Sequence, residues 1–199
     1  MIEPGSTIGI LGGGQLGRML ALAAANMGYR VHVLAPEAEL PAGDVAAEVT
    51  RAAYDDLAAL EAFAAQVDVA TFEFENIDPA AVRHLATRIP VYPSADSLEV
   101  AQDRLSEKAF VEALGGRPAA YRAVESRAEL SVAINDLGTP CVLKTRRFGY
   151  DGKGQARIQS LADADAAWAG LNGQPAILEA WVTFSHEFSV ILARGADGE

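Results

Sequence analysis

Residues 7–19 read Thr-Ile-Gly-Ile-Leu-Gly-Gly-Gly-Gln-Leu-Gly-Arg-Met, and the order of residue types in that run decides the fold. The aliphatic run 7–11 has the composition of a buried strand. Three glycines follow, and residues 15–27 then take helical spacing, with Leu16, Leu20 and Ala23 on one apolar face. A second strand at 30–34 completes a βαβ unit. Working outward, short strands at 48–50, 67–72 and 91–92 alternate with helices at 55–66 and 79–87, the latter opening on Pro79 behind an Asp78 cap. Strands separated by helices of this length imply a parallel sheet covered on both faces.

The pattern changes after Pro93. Residues 94–100 and 103–114 read as helices, and Gly115-Gly116-Arg117-Pro118 is a break. Beyond it come a helix at 127–137, a strand at 141–145, a glycine-rich loop at 146–154, a strand at 156–159, a helix at 161–171 and strands at 176–180 and 187–193. This half is α+β with hairpin-like strands. The chain contains no internal repeat and no low-complexity segment.

Composition narrows the function classes. The 199 residues carry a net charge of −11, which argues against nucleic acid as a partner, since phosphate-backbone binding needs a clustered cationic surface. Small anions need only a local patch. Alanine makes up about a fifth of the chain, which predicts close helix-on-sheet packing. No run of about 18 apolar residues is present, so no membrane span is expected, and the N-terminus lacks the basic and apolar regions of a signal peptide. A cytoplasmic location follows as the expectation. Cys141 is the single cysteine; it has no disulfide partner within the chain and reads as a buried strand residue.

Three motifs carry chemistry. Gly12-Gly13-Gly14-Gln15-Leu16-Gly17 satisfies G-x-G-x-x-G between a strand and a helix, where glycines let an anion approach and the helix N-terminus supplies donors. A nicotinamide site also wants an acidic residue at the end of the second strand, but Ala35 and Pro36 stand there. The loop therefore reads as a phosphate site, with dinucleotide use demoted. Phe72-Glu73-Phe74-Glu75-Asn76 ends a strand of the same sheet, at the edge where ligands of such sheets bind. Alternation sends one carboxylate toward ligand and tucks the other among backbone donors. Finally, Lys144-Thr-Arg-Arg-Phe-Gly-Tyr-Asp-Gly-Lys-Gly-Gln155 holds four cations and one anion in an acidic chain. Gly149, Gly152 and Gly154 give it the freedom to wrap phosphates with backbone amides. It leads into a strand, so it is a covering hairpin of the kinase kind, not a Walker A loop.

With GGGQLGRM at 12–19, FEFENI at 72–77, QDRLSEK at 102–108, KTRRFGYDGKGQ at 144–155, EAWV at 179–182 and Glu187 in this order, the chain resembles the ATP-grasp superfamily. Within it the chain is similar to the 5-(carboxyamino)imidazole ribonucleotide synthase family. The resemblance implies a Rossmann-like parallel-sheet (pre-ATP-grasp) domain at 1–93, which binds substrate, and a helical linker at 94–118. It implies further a small ATP-grasp lobe with its flap at 119–182 and the start of a larger lobe at 183–199, so that the α+β ATP-grasp domain is incomplete.

Site roles follow from the same resemblance. It implies ATP phosphate contacts at Arg104 and Lys144, and a flap over the triphosphate made of Gly149, Tyr150, Asp151, Gly152, Lys153, Gly154 and Gln155. Glu179, Ala180, Trp181 and Val182 resemble the adenine-reading hinge, and Glu187 the acceptor for the ATP ribose. Gly14, Gln15 and Leu16 resemble the cradle for a substrate 5′-phosphate, and Glu75 its ribose ligand. Lys144, Tyr150, Asp151 and Lys153 form the implied catalytic set; Lys153 stands where some relatives have Arg, which keeps a point charge without the bidentate fork.

The implied ligands are ATP with Mg2+, 5-aminoimidazole ribonucleotide and bicarbonate, and the implied assembly is a homodimer. Family magnesium sits on a late acidic and Asn cluster, which the sequence does not reach before Glu199, so no metal ligand is assigned and the chain is expected to lack the magnesium-binding half of the site. His186, beside Glu187, reads as an ordinary exposed histidine. Three other readings stay open at this point: another ATP-grasp carboxylate–amine ligase, a non-catalytic ATP-binding module, and a nicotinamide oxidoreductase resting on the glycine motif alone.

Overall fold

A computed structural model describes residues 2–149 and 153–195, which form two compact units that divide between Glu99 and Val100. The first is built from β1 (Thr7–Leu11), α1 (Gln15–Asn26), β2 (Arg30–Leu34), β3 (Glu48–Thr50), α2 (Leu57–Ala64), β4 (Val69–Phe72) and α3 (Pro79–Ala86), with α4 (Ala95–Ala101) at its end. Its sheet is fully parallel in the order β3-β2-β1-β4. β1 lies in the middle, with Leu11 opposite Leu34 on one side and Phe72 on the other, so three strands end side by side. The strand predicted at 91–92 is reduced to a single parallel bridge between Val91 and Ala70. Asp78 caps α3 as expected, its carboxylate accepting from the Ala80 amide at 2.8 Å.

Helices cover both faces of this sheet. On one, Leu60, Phe63, Val82 and Leu85 pack against Leu11, Leu34 and Ala70; on the other, Ala21 and Ala24 of α1 meet Ile10, Val31 and Val33. Here the expected face of α1 is overturned. Gly17, Ala21 and Ala24 are the buried positions, whereas Leu16 is 60% and Leu20 44% exposed and Ala23 is exposed with them. The reason is clearance. A β-carbon placed on Gly17 would lie 3.0 Å from the Gly12 carbonyl and 3.3 Å from the Ala42 side chain, so only the smallest residues fit between helix and sheet.

The second unit comprises α5 (Arg104–Ala113), β5 (Tyr121–Val124), α6 (Arg127–Leu137), β6 (Cys141–Thr145), β7 (Gln155–Ile158), a 3-10 turn at Leu161–Asp163, α7 (Ala164–Gly170) and β8 (Ala176–Ala180). Its sheet is antiparallel in the order β5-β8-β6-β7. β5 was not expected from its four residues, because it exists only through its long-range ladder with β8. The Ser160/Asp163 capping box tightens the start of the predicted 161–171 helix into the 3-10 turn.

Alternation divides the two faces of this sheet cleanly. Val124, Cys141, Leu143, Ile158, Ala176 and Leu178 turn to one side and are sealed by Leu130, Ala133, Ile134, Ala164 and Ala167 of α6 and α7. Cys141 is fully buried there, as its sequence setting predicts. Val142, Lys144, Arg157, Ile177 and Glu179 fall on the other side, which no helix of that core covers. The strand predicted at 187–193 does not form; residues 183–195 are irregular and exposed. A strand needs a neighbouring ladder for its backbone groups, and among the described residues none runs beside this segment.

The clearance argument yields a direct test. Ala21→Leu should destabilise the fold by about 1–3 kcal/mol through overpacking, while Leu20→Ala should change stability by about 0.5 kcal/mol or less. Urea denaturation of the two variants checks the assignment of faces, and equal losses would overturn it.

Candidate functional site

The first part of the site forms where β1, β2 and β4 end. Glu73 continues the ladder one residue past β4, its amide donating to the Leu11 carbonyl at 3.0 Å, and its side chain then folds back over the glycine turn. Its Oε1 accepts from the Gly14 amide at 2.7 Å. Gly12 has φ of +108°, and a β-carbon there would lie 2.9 Å from Glu73. Glycine is required at that position for both reasons. Glu73 is thus the carboxylate tucked among backbone donors and Glu75 the exposed one; alternation does not separate residues two apart, and the two differ because β4 ends at Phe72.

Two cavities flank this turn, and their charges differ. A smaller one of about 220 Å³ is lined by Gly12, Gly13, Gly14, Glu37, Glu39, Leu40, Tyr54, Glu73 and Phe74. Burial, and then the Glu37 and Glu73 carboxylates, push the Tyr54 phenol upward, so it is a proton donor at neutral pH. The larger, of about 540 Å³, is lined by Gln15, Arg18, Asp44 and Arg51 among others. Arg18 donates to the Pro41 carbonyl at 3.0 Å and to Asp44 at 2.9 Å. Hydroxyl groups suit the acidic cavity; in the larger one the Arg18 and Arg51 guanidinium groups are balanced by Glu39 and Asp44.

This refines the expected phosphate cradle. The Gly14 amide is occupied by Glu73, so the helix-terminus donors that remain by geometry are those of the first turn of α1, at Gln15 and Leu16. The same carboxylate sits where a dinucleotide pyrophosphate would need the turn, which is a second argument against a nicotinamide cofactor beside Ala35. Glu75 does not line either cavity.

The second part lies on the face of the antiparallel sheet that carries Val142, Lys144, Ile177 and Glu179. Glu179 on β8 stands directly opposite Val142 on β6, and Lys144 is two residues further along β6 on the same face. Glu179 is only 8% exposed. Its Oε2 meets the Lys144 ammonium at 2.8 Å and its Oε1 the Lys108 ammonium at 3.4 Å. Above them is a slot of about 350 Å³ lined by Ala119, Val142, Lys144, Arg157, Glu179, Ala180, Trp181, Val182 and Phe184. The Arg157 guanidinium lies 4.7 Å from the Trp181 ring centre, a cation–π contact that holds the rim. Apolar walls with a fixed acid–base pair on the floor suit a planar heteroaromatic ligand whose edge carries donors and acceptors.

The loop after β6 is anchored by the residues before α5. Asp103 caps α5 through the Leu105 amide at 2.9 Å and accepts from Arg146 at 3.0, 3.1 and 2.5 Å. Arg147 donates to Gln102 at 2.6 Å. Arg104 donates to the carbonyls of Thr145 and Gly149 at 3.4 and 3.0 Å. Two of the four cations in the 144–155 motif are therefore tethers, which sequence counting could not reveal. Gly154, at φ +68°, brings the returning leg against Thr145, and the Gly154 carbonyl accepts from the Thr145 amide at 2.8 Å.

The other expected residues are placed as follows. Gln155 is paired across the ladder with Lys144, and Lys153 is exposed beside Gly154. Tyr150, Asp151 and Gly152 lie outside the described residues. The Trp181 amide donates to the Pro140 carbonyl at 3.3 Å and the Ala180 amide to Ala120 at 2.8 Å, so neither N–H points into the slot. Glu187 is exposed in the irregular segment and does not line the slot. His186 is exposed too, in contact with Ser185. Sequence reading missed Glu73 as the loop's holder, and it missed Lys108 and Arg157 at the slot. The signal for Lys108 was its i, i+4 spacing from Arg104 in QDRLSEK.

Comparison with known proteins agrees with this division. Residues 5–102 match the model of the ribonucleotide synthetase preATP-grasp domain, and residues 109–199 that of the ATP-grasp domain. The N5-carboxyaminoimidazole ribonucleotide synthase of Brucella melitensis is 49% identical over 199 residues, covering 99% of the chain and 55% of that protein. An ADP complex of N5-carboxyaminoimidazole ribonucleotide synthetase superposes with a TM-score of 0.94 at 46% identity, over the whole chain and 53% of that structure. The Aspergillus clavatus synthase in complex with ADP and 5-aminoimidazole ribonucleotide gives a TM-score of 0.79 at 28% identity, over 92% of the chain and 48% of that structure. The chain spans about half the length of these relatives.

The Asp103–Arg146 tether is open to titration. Burial alone would raise the Asp103 carboxyl, but the Arg146 guanidinium and the Leu105 amide outweigh it and hold it below its ordinary value of 3.8. A folded-state value below the unfolded one means that the stabilisation is fully present above the unfolded value and is lost as pH falls through the folded one. Asn keeps the helix cap, so Asp103→Asn removes the charge alone. It should melt about 2–4 °C below the parent at pH 6, and the gap should close as pH falls below 3.8. A gap that stays constant down to pH 3 would refute the tether.

Proposed function

Since the chain belongs to the ATP-grasp superfamily, in its N5-carboxyaminoimidazole ribonucleotide synthase branch, we propose that it serves the ATP-dependent carboxylation of 5-aminoimidazole ribonucleotide by bicarbonate. A bicarbonate oxygen attacks the γ-phosphorus of ATP, the bond to ADP breaks, and carboxyphosphate forms. The amine of the ribonucleotide then attacks the carboxyl carbon and phosphate leaves, giving the N5-carboxyamino product of a purine-forming sequence.

The observation that carries this reading is the buried Lys144–Glu179 pair at the floor of an apolar slot, beside a glycine hairpin whose base is tied down by Gln102, Asp103 and Arg104. We assign the slot to adenine, with Glu179 and the hinge 179–182 reading its edge. Lys144 is proposed to reach the phosphates and the hairpin 149–155 to cover them, with Tyr150, Asp151 and Lys153 assigned to the reacting groups from the family pattern. A covering hairpin excludes water, which matters because carboxyphosphate is a hydrolysable anhydride. Glu187 is proposed to accept from the ATP ribose.

In the first unit, Met1–Glu99, the Gln15 and Leu16 amides with Arg18 and Arg51 suit the 5′-phosphate. The acidic cavity at Glu73 and Tyr54 suits ribose hydroxyls, in addition to the Glu75 assigned from the family pattern. ATP is proposed to bind as its magnesium complex. Among the described residues no group of three or more His, Cys, Asp or Glu side chains is placed to hold a metal ion. A homodimer and a cytoplasmic location complete the proposal; no helix among the described residues is long and apolar enough to cross a membrane.

ADP release measured with bicarbonate and the aminoimidazole ribonucleotide omitted in turn tests the reaction. Dependence on both is expected, and dependence on formate or an amino acid instead would assign the chain to another ATP-grasp ligase. Lys144→Ala should lower aminoimidazole-dependent ADP release by about 10²–10³-fold while the protein still melts cooperatively. Unchanged turnover would sink the assignment of Lys144.

A further inference from the structure

We infer that Lys108 is a positioning residue of the nucleotide site, keeping the Glu179 carboxylate charge-paired when Lys144 turns to the phosphates. The inference rests on the ATP reading of the slot. Glu179 is 8% exposed, and a carboxylate that deeply placed is strongly destabilising once stripped of its partner. Yet Lys144 has two claims on it. In the structure its ammonium is 2.8 Å from Glu179 Oε2, and in the proposed reaction it must also serve nucleotide phosphate. With Lys144 as sole partner, nucleotide binding would have to break that contact and leave a buried charge alone.

Lys108 meets the other oxygen, Oε1, at 3.4 Å. It does not line the slot, so it acts through Glu179 and not on the ligand. Its place is fixed by Tyr121, which pairs across the ladder with Glu179. The Lys108 ammonium lies 5.7 Å from the Tyr121 ring centre, and the Tyr121 hydroxyl donates to Glu112, one turn further along α5, at 2.8 Å. Helix α5 therefore delivers one cation to the back of Glu179, and β6 delivers another to its front. Only the front one is asked to move.

The test is steady-state kinetics of the natural enzyme with ATP varied. Lys108→Met should raise KM for ATP about tenfold with kcat within about threefold of the parent, because Glu179 now retains Lys144. Lys108→Arg should restore KM to within about threefold. The decisive arm is a double variant. Glu179→Gln in the parent should raise KM, but in the Lys108→Met background it should lower KM, since a neutral amide needs no cation and releases Lys144.

A parental KM in Lys108→Met, or a double variant in which the two losses multiply, overturns the inference. The Lys108 side chain is 17% exposed, so thermal melting of each variant accompanies the kinetics, and the arginine variant, which keeps the charge, supplies an independent check on the role. If the parent itself releases no ADP from ATP, the nucleotide reading falls. If the parent turns over and Lys108→Met matches it, only the role of Lys108 falls.

Discussion

A carboxylate removed from water has to be met by donors, and each half of this chain is arranged around one such group. In the parallel-sheet unit it is Glu73, which turns back from the end of β4 to take the Gly14 amide. In the antiparallel unit it is Glu179, gripped by an ammonium on each oxygen. Glu73 lies one residue past β4, where the ladder no longer fixes its side chain, whereas Glu179 lies inside β8 with a strand on each side, and in both places a specific partner sets the carboxylate. Around Glu73 the glycine turn is forced to stay glycine, and around Glu179 the slot acquires a rigid polar floor. Each acid also decides which ligand chemistry its surroundings accept: hydroxyls and not phosphate beside Glu73, and a flat base with a mixed polar edge above Glu179.

Much of this was legible in the residue order. Strand β1, the glycine turn and β2 follow from a local run of side chains, as do α6 and the buried β6 with Cys141. What escaped was whatever depends on contacts distant in sequence. The packed face of α1 was misread because leucines were weighted over glycine and alanine, when clearance at the Gly12 carbonyl is set by a strand–helix distance no window of sequence contains. β5 is four residues long and is a strand only because β8 lies beside it. Residues 187–193 have strand composition, yet among the described residues no neighbouring ladder receives them. Counting charge in the 144–155 motif could not show that Arg146 and Arg147 are held by Asp103 and Gln102, some 45 positions upstream.

The tethers explain how a strongly acidic chain can present cations to an anionic ligand. Lys144, Lys108, Arg104, Arg146 and Arg147 are restrained by acids, an amide oxygen or carbonyls and Arg157 by the Trp181 ring, so their positions are set before a nucleotide arrives. Such prior placement lowers the ordering that binding must impose. The feet of the glycine hairpin are placed in the same way, at Thr145, Gly149 and Gly154.

Cys141 shows what full burial means for the bench. Its thiol sits on the sealed side of the central strand, and burial raises it above its ordinary value, so at neutral pH it is a protonated, inaccessible sulfur. As the single cysteine of the chain, it leaves the folded molecule silent toward maleimides and other thiol reagents. A cysteine introduced on the outer face of α1, where Leu16 and Leu20 are exposed, would then be the sole reactive thiol, ready to carry a spin label or a fluorophore while Cys141 stays in place.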